Sequence, residues 1–473
     1  MGKRILLVTT SFEGISKNLI AKTNEEMHYP LGLAYLHTYL ESKKHEVRSL
    51  FLNHWSEEDC FNEITKNLEE MSPDIIGFQV LTSTRVSSYH AIDYIHKKYP
   101  KIKIILGGIH ATVMYKQLIE KYPFAIAVLG EGEKTMEELI KEIFKKKVNL
   151  KKIDGIAFSE KGEALRTKRR DLIKDLDSLP FPNHEQYLND KRRTSACLLT
   201  SRGCPYACSF CCLNPEAKRI VRFRGPKNVV DEIEYIAKRF PHINDIFIHD
   251  DSFFVNNQRV IDICDEIIKR NIKKRFICSG RMKPISEEMV YKLEKAGFEN
   301  ILLGLESGDE SILKSCHKGI NHQDVIAAFK LLSKTSMNPK VFLIVGLPGE
   351  NINTIMETAR FVKKLQKISY FSFPTILNLL SVYPGTEVYE TAKIKGFIND
   401  DYWLSEKEIP IYTAENSYEK LKKFEDILVN NISVYRIKTV KGFLAQIDMI
   451  PSIMKYLLKK RRLLLNGIRE FIK

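Results

Sequence analysis

Short apolar runs alternate with amphipathic segments through the first 150 residues of the chain. Each apolar run precedes a segment with helical periodicity, which predicts five successive strand–helix units. Such a series is typical of a doubly wound parallel sheet, so we expect an α/β fold. Ligands of these sheets bind beyond the carboxyl ends of the strands. Here those ends read VLTSTR, LGGIHAT and VLGEGEKT, and their small residues let a ligand approach the backbone.

A polar segment separates this series from a second one. The stretch IDGIAFSEKGEALRT predicts a hairpin that turns at Lys161–Gly162, and the prolines Pro180 and Pro182 mark a linker. Six further strand–helix repeats then predict a partial (β/α)6 barrel with the layout of a TIM barrel. We therefore divide the chain into a first domain (1–150), a hairpin and linker (151–190), a partial barrel (191–400) and a helical, basic C-terminal region (401–473).

Cysteines and carboxylates follow several strands of the second series. The loop after its first strand holds four cysteines, and later strands are followed by Asp250, Asp251, Glu306 and Glu350. Because the chemistry of such barrels lies at the C-terminal mouth of the strands, we expect these groups to converge there.

Three of the nine cysteines have the spacing CxxxCxxC within TSRGCPYACSFCCLNP: Cys204, Cys208 and Cys211. Thiolates on one short loop suit three corners of an iron–sulfur cluster and leave one iron open to a small molecule. Zinc is the alternative, but a structural zinc ion takes four closed ligands, and the loop contains neither a second cysteine pair nor a histidine. Cys212 is surplus, because a fourth thiolate would block the open iron.

The loop resembles the signature of a known family. Its pattern CxxxCxφC, with Phe210 as the aromatic residue φ, follows the first strand of a β/α series, as in the radical S-adenosylmethionine (SAM) superfamily. The resemblance implies a [4Fe-4S] cluster whose open iron binds the amino and carboxylate groups of S-adenosyl-L-methionine. It also implies cleavage of SAM to a 5′-deoxyadenosyl radical, with an electron donor such as flavodoxin or ferredoxin as partner. The cofactor carries the reaction and the protein orients it.

Further positions can be carried over from the superfamily one at a time. The carboxylates after strands two and four resemble residues that meet the methionine amino group and the bound cofactor, although the family often has glycines after strand two. A lysine one segment later would pair with the methionine carboxylate as a point charge. The turn in IVGLPGE resembles the glycine-rich turn beside the adenine, and an ordinary turn is the alternative. The residues assigned in this way are Asp250, Asp251, Glu306, Lys318, Gly346 and Gly349, of which Asp250, Asp251 and Glu306 are the candidate catalytic residues.

Residues 1–150 indicate which subfamily of this superfamily the chain resembles. The motif LGGIHATV followed by VLGEGEKT resembles the cobalamin-binding, Rossmann-like domain that precedes the radical module in one large subfamily. The resemblance covers roughly residues 1–400. A nicotinamide-binding Rossmann domain is the alternative, but the first strand runs into TTSFEGISKN rather than GxGxxG.

The chain contains no DxHxxG motif, so the resemblance implies base-off cobalamin without a histidine ligand. The nucleotide tail is expected beneath the LGGIHAT loop, with the VLTST loop near the lower face of the corrin and the GEGE loop also at the cofactor. The assigned residues are Gly107, Gly108, His110, Thr82, Ser83, Gly130, Glu131 and Gly132.

The implied function is methylation of an unactivated carbon of a small-molecule or lipid-like substrate. One SAM would recharge cobalamin to methylcobalamin, and a second would generate the radical that activates the substrate. The same architecture supports oxidative cyclisation or rearrangement without methyl transfer, which product mass distinguishes. A non-catalytic cobalamin- or redox-sensing iron–sulfur module is the alternative from another class, and it predicts no 5′-deoxyadenosine under reducing conditions.

The positive charge of the chain is concentrated at the C-terminus. The segment from Arg436 to Lys473 contains ten Lys and Arg but only two acidic residues. This surplus of positive charge is about half of the net charge of +15. Apolar residues around a KKRR block favour a helix on an anionic membrane surface, and a helix packed on the barrel is the equal alternative. Few aromatic residues in the tail argue against nucleic acid as a partner.

The apolar run at the N-terminus is shorter than the core of a signal peptide. No run reaches the roughly 18 apolar residues that span a bilayer. We therefore expect a cytoplasmic protein, membrane-peripheral if the tail binds lipid, with cysteines that bind metal rather than form disulfides.

Overall fold

The computed structural model describes residues 2–12, 29–191, 193–212, 219–368 and 375–432. Its first sheet is formed by the strands β1 (Arg4–Thr9), β2 (Glu46–Phe51), β3 (Ile75–Gln79), β4 (Lys103–Gly107), β5 (Ile126–Val128), β6 (Ile156–Glu160) and β7 (Glu163–Arg166). Their order is β2-β1-β3-β4-β5-β6-β7. Strands β1 to β5 are parallel, which confirms the α/β class and the doubly wound pattern.

Strand β1 illustrates why these segments form this sheet. It lies between β2 and β3, and Ile5, Leu6, Leu7 and Val8 are all buried. A strand covered on both faces requires a continuous apolar run, which RILLVT supplies. Within the described residues, the parallel strands are surrounded by α1 (Leu31–Ser42), α2 (Glu57–Met71), α3 (Arg85–Lys98), α4 (Gly108–Val113), α5 (Tyr115–Lys121) and α6 (Gly132–Ile143).

Two details of this sheet differ from the sequence-based expectation. The strand predicted through LGGIHAT ends at Gly107, because Gly108 turns the chain at φ +91° and α4 begins there. The predicted hairpin turns at Lys161–Gly162 as expected, but β6 pairs antiparallel with β5. The hairpin therefore extends the first sheet instead of standing apart in a linker.

The second sheet is an open barrel. Its region contains β8 (Ser195–Leu198), β9 (Ser201–Arg202), β10 (Arg222–Phe223), β11 (Asp245–Ile248), β12 (Arg275–Gly280), β13 (Phe298–Glu306), β14 (Asn338–Val345) and β15 (Thr375–Leu379). Six of these strands are parallel, in the order β15-β14-β13-β12-β11-β8, and β9 and β10 form a separate antiparallel ribbon. In the described part of the chain β8 and β15 do not pair, so the six-strand partial barrel is confirmed.

Helices follow the barrel strands as predicted. Helix α7 (Glu185–Leu188) precedes β8, and the helices that follow the strands are α8 (Pro226–Arg239), α9 (Asn257–Lys269), α10 (Glu287–Ala296), α11 (Glu310–Ser315), α12 (His322–Leu332), α13 (Ile352–Ile368), α14 (Glu387–Ile394) and α15 (Tyr418–Asn431). Polar caps fix several starts: Asn256 accepts from the Arg259 amide, and Asn321 and Asp324 form a reciprocal capping box. The apolar faces of these helices join the strands in one large core.

The C-terminal region contacts both domains. Helix α15 buries Leu421, Phe424 and Leu428 in the barrel core. Trp403 is fully buried and lies 6.1 Å from the His110 ring in the first domain. The basic tail, including the predicted membrane helix, lies outside the described residues. Among the helices that the structure describes, none has the length and apolar character required to cross a bilayer.

Candidate active site

A cavity of about 610 Å³ lies between the two sheets. Its walls come from the strand ends of both domains, which is where each fold places ligands. Nine of the residues singled out from the sequence line it: Gly107, Gly108, Gly130, Glu131, Gly132, Cys204, Cys208, Cys211 and Asp251. The structure thus brings the glycine loops of the first domain and the cysteine loop of the barrel to one space.

The glycines of the first domain bring its backbone to the cavity surface. Gly108 has φ +91°, and a Cβ there would lie 2.7 Å from the carbonyl oxygen of Val80. Gly130 has φ +77°, and its amide donates to Thr112 Oγ1 over 3.1 Å. Both conformations favour glycine, so this wall is bare backbone that a flat ligand can approach.

Three other residues assigned to cobalamin are placed elsewhere. His110 is completely buried, with Nδ1 3.0 Å from Thr82 Oγ1 and Nε2 3.1 Å from the Tyr89 hydroxyl. Burial, and then the charge of Arg85, lowers the pKa of His110 to about 3. Neither His110, Thr82 nor Ser83 is among the described residues that line the cavity. His110 and Thr82 instead form a hydrogen bond with each other inside the first domain.

The three candidate ligands share the cavity wall, and Cys212 does not. Burial raises the pKa of Cys204 and that of Cys212. Cys212 lies close to Tyr383, whose pKa rises to about 12 through burial and then through this thiol. Across the described ranges, no three Cys, His, Asp or Glu side chains already stand as an assembled metal site. Three soft thiols on one cavity-facing loop nevertheless fit an iron–sulfur cluster better than a structural zinc ion.

The two carboxylates after β11 have different surroundings. Asp250 is buried and accepts four hydrogen bonds, from the amides of Thr200 and Ser201 at 2.6 and 3.1 Å and from their hydroxyls at 2.5 and 2.6 Å. It braces the chain that leads into the cysteine loop. Asp251 faces the cavity and accepts only the Gly203 amide, at 3.2 Å. Enclosure by the surrounding walls, and then Asp250, raises the pKa of Asp251 to about 6.

Glu306 and Lys318 bind each other. Lys318 Nζ donates to Glu306 Oε1 over 2.7 Å, and both residues are buried. A Cβ at position 304 would lie 2.4 Å from that carboxylate oxygen, so Gly304 makes room for the pair. Glu306 has φ +69°, where the register between β13 and β14 shifts. Strained backbone that places a charged side chain at a strand end is typical of a functional position.

The turn after β14 is held by carboxylates. Gly346 has φ +99°, and its amide donates to Glu350 Oε2 over 2.6 Å. The Gly349 amide donates to Glu415 Oε2 over 2.8 Å. Burial raises the pKa of Glu350 to about 8, although the Gly346 amide acts against this. The two glycines form a fixed turn, but neither is among the described residues that line the cavity.

Sequence reasoning missed an ion-pair cluster across the cavity. Arg202 Nη1 lies 3.2 Å from Glu131 Oε1, and Arg202 Nη2 lies 2.7 Å from Glu133 Oε1. Arg222 Nη1 donates to Glu131 over 2.9 Å. The arginines belong to β9 and β10, which flank the cysteine loop, and the carboxylates belong to the GEGE loop. Sequence shows both charged motifs, but it does not show that they face each other.

Comparison with known proteins was made over the whole chain. Residues 198–362 match the model of the Radical SAM superfamily, and residues 17–140 match that of the B12 binding domain. An uncharacterized methyltransferase of Pyrococcus horikoshii is 28% identical over 426 residues, covering 89% of this chain and 88% of that protein. An anaerobic magnesium-protoporphyrin IX monomethyl ester cyclase of Rubrivivax gelatinosus is 26% identical over 345 residues, covering 71% of this chain and 62% of that protein.

A solved structure shares the fold. The radical SAM methyltransferase TsrM from Kitasatospora setae, with tryptophan substrate and a SAM analogue bound, aligns with 84% of this chain and 77% of its own. The TM-score is 0.69 at 22% sequence identity. The two matched domains and the shared cavity confirm the predicted cofactors, namely a [4Fe-4S] cluster, SAM and cobalamin. The chain is therefore an enzyme that joins a B12-binding domain to a radical SAM domain.

Proposed function

We propose that this enzyme transfers a methyl group to an unactivated carbon of a small-molecule substrate. The observation that carries the proposal is the single cavity lined both by the glycine loops of the B12-binding domain and by Cys204, Cys208 and Cys211. When bound, the cluster and SAM supply a carbon-centred radical, and cobalamin supplies a methyl carrier. The methyltransferase of Pyrococcus horikoshii, which aligns over nearly the whole chain, supports methyl transfer.

The protein residues would bind and orient these groups. Cys204, Cys208 and Cys211 would hold the cluster from one loop. The backbone of Gly107, Gly108, Gly130 and Gly132 lines this cavity and would lie along cobalamin. Glu131 would not bind cobalamin through its carboxylate, because that carboxylate already forms ion pairs with two arginines.

The polar residues of the barrel would bind SAM. Asp251, rather than Asp250, would accept a hydrogen bond from the methionine amino group, because all the hydrogen bonds of Asp250 go to Thr200 and Ser201. The buried Lys318–Glu306 pair would present its remaining donors and acceptors to the methionine carboxylate and the sugar. Gly346 and Gly349 would act only through the fixed turn after β14, since neither lines the cavity.

The test is anaerobic reconstitution with iron, sulfide and hydroxocobalamin, followed by reaction with SAM that carries a deuterated methyl group. Extracts of the source cell, fractionated by mass, serve as candidate substrates, and a low-potential flavodoxin or ferredoxin supplies electrons. We expect 5′-deoxyadenosine together with a product that gains the deuterated methyl group. The Cys208→Ala variant should form neither. Loss of hydrogen from the product without gain of a methyl group would contradict methyl transfer.

Oxidative cyclisation is the second candidate function. The similarity to the cyclase of Rubrivivax gelatinosus, over 71% of this chain, is the observation that favours it. The same experiment distinguishes the two reactions, because a cyclase would release 5′-deoxyadenosine and a product that has lost hydrogen.

A peripheral contact with membrane is proposed from sequence alone. The charges between Arg436 and Lys473 favour binding to anionic lipid, which would bring a lipid-like substrate to the enzyme. Deletion of residues 440–473 should then abolish sedimentation with anionic liposomes, and unchanged sedimentation would contradict this proposal.

A further inference from the structure

Arg281 is a buried arginine beside the cysteine loop. It directly follows β12, whose strand end faces the mouth of the barrel, and only 6% of its surface is exposed. Nothing in the sequence singles it out, because RM after a strand is not a recognised motif. Its position places a fixed positive charge next to the loop that carries the cluster ligands.

Two contacts join Arg281 to that loop. The guanidinium carbon lies 3.6 Å from the centre of the Tyr206 ring, which is between Cys204 and Cys208 in sequence. Nη1 lies 4.0 Å from Cys208 Sγ, within the range of an N–H···S hydrogen bond. Arginine suits this arrangement, because its planar group stacks on an aromatic ring while its edge donates hydrogen bonds.

The remaining donors of Arg281 are unsatisfied. Nε and Nη2 are buried and have no hydrogen-bond partner among the described residues. The ion pairs found within those residues also include none with Arg281. Burial of charged donors without an acceptor is costly, so their presence points to an acceptor that binds there.

We propose that Arg281 donates hydrogen bonds to sulfur atoms of the bound cluster and thereby raises its reduction potential, an inference that rests on the proposed function. Reduction adds one electron from a low-potential one-electron donor, and no bond forms or breaks. The reduced cluster carries one more negative charge. A buried guanidinium that faces sulfur stabilises this state more than the oxidised state.

The test is the midpoint potential of the reconstituted cluster in the absence of SAM, measured by redox titration with electron paramagnetic resonance. Iron and sulfide content are measured on the same samples. The variants are Arg281→Lys, which keeps the charge but loses the planar fork, and Arg281→Met, which loses both. The matched control is Arg275→Met, which removes a half-exposed arginine from the other end of β12. We expect the potential to fall in the order wild type, Arg281→Lys, Arg281→Met, with Arg275→Met equal to wild type.

Each other result decides against the inference. An unchanged potential in an Arg281→Met protein with full iron content would overturn it. If the Arg281→Met protein loses the cluster, the Arg281→Lys protein provides the test. An unchanged midpoint potential in that variant would equally overturn the inference. Weaker SAM binding at an unchanged potential would assign Arg281 to the methionine carboxylate instead. A wild-type protein that takes up no cluster would overturn the proposed function, and this inference with it.

Discussion

Asp250 and Asp251 are adjacent in sequence, yet their environments give them separate tasks. Asp250 accepts four hydrogen bonds from Thr200 and Ser201 and is closed off from the cavity. Asp251 faces the cavity, and the pKa of its carboxyl is raised to about 6 by enclosure and then by Asp250. Removal of the Asp250 carboxylate should therefore affect the fold of the loop, whereas changes to Asp251 should affect ligand binding.

The first prediction concerns the pH dependence of SAM binding. The raised pKa of Asp251 means that its carboxyl is neutral below about pH 6 and ionised above it. Because an ionised carboxylate accepts a stronger hydrogen bond from the methionine amino group than a neutral carboxyl does, SAM affinity should rise as pH rises through about 6. Asp251→Asn should remove this dependence and weaken binding about tenfold or more at neutral pH, since hydrogen bonds to charged groups contribute about 1.5–3 kcal/mol. Equilibrium dialysis of the reconstituted protein measures both effects, and a wild-type affinity that is flat with pH would exclude this role.

The second prediction separates Cys208 from Cys212. Cys208 lines the cavity and approaches Arg281, whereas Cys212 is absent from the described cavity lining. Cys212→Ala should therefore retain the cluster, and Cys208→Ala should lose it. Iron content and visible absorbance after anaerobic reconstitution measure this. Equal loss of iron in the two variants would contradict the three-ligand assignment.

At the scale of elements, the turn from β4 into α4 decides how closely a ligand approaches the first domain. Gly108→Ala would place a methyl group 2.7 Å from the Val80 carbonyl oxygen at φ +91°. It should lower the free energy of unfolding by about 1–3 kcal/mol and abolish cobalamin uptake. Chemical denaturation of the apo protein and cobalamin retained on gel filtration measure these effects.

Two glycines provide controls for that prediction. The backbone at Gly107 is extended, and a Cβ there would lie 3.9 Å from its nearest atom. The Gly107→Ala protein should therefore keep its stability, while the added methyl group hinders cobalamin binding. Gly162 has φ +89° in open space, so Gly162→Ala should show the backbone strain alone and bind cobalamin normally. Normal cobalamin uptake by Gly108→Ala would exclude close contact at this turn.

The elements were largely predictable, because buried strands and amphipathic helices leave a periodic pattern that depends on neighbours in sequence. The residue at which β4 ends was not predictable, because Gly108 ends the strand through its backbone conformation rather than through hydrophobicity. The hydrogen-bond partners of His110 were also not predictable, since Thr82 and Tyr89 come from other segments. The cysteine spacing and the glycine loops were predictable because each lies within one short stretch.

At the scale of the whole molecule, the two domains are joined by charge at the edge of the cavity. Arg202 and Glu133 are 16% and 5% exposed, and Arg202 also lies over the Tyr35 ring at 5.1 Å. Arg202 lies two residues before Cys204, and Glu133 lies in the first turn of α6. This cluster of ion pairs therefore couples the position of the cysteine loop to the position of the B12-binding domain.

The last prediction follows from this coupling. Arg202→Met would leave the largely buried Glu133 carboxylate without its partner, whereas Glu131 keeps Arg222, and this should lower the free energy of unfolding by about 3 kcal/mol. Lys238→Met, which breaks an exposed pair with Glu234, should cost less than about 1 kcal/mol. Adding Glu133→Gln to Arg202→Met should restore part of the loss, because the stranded charge is then removed. Equal stability of the Arg202 and Lys238 variants would show that packing, rather than charge, joins the domains.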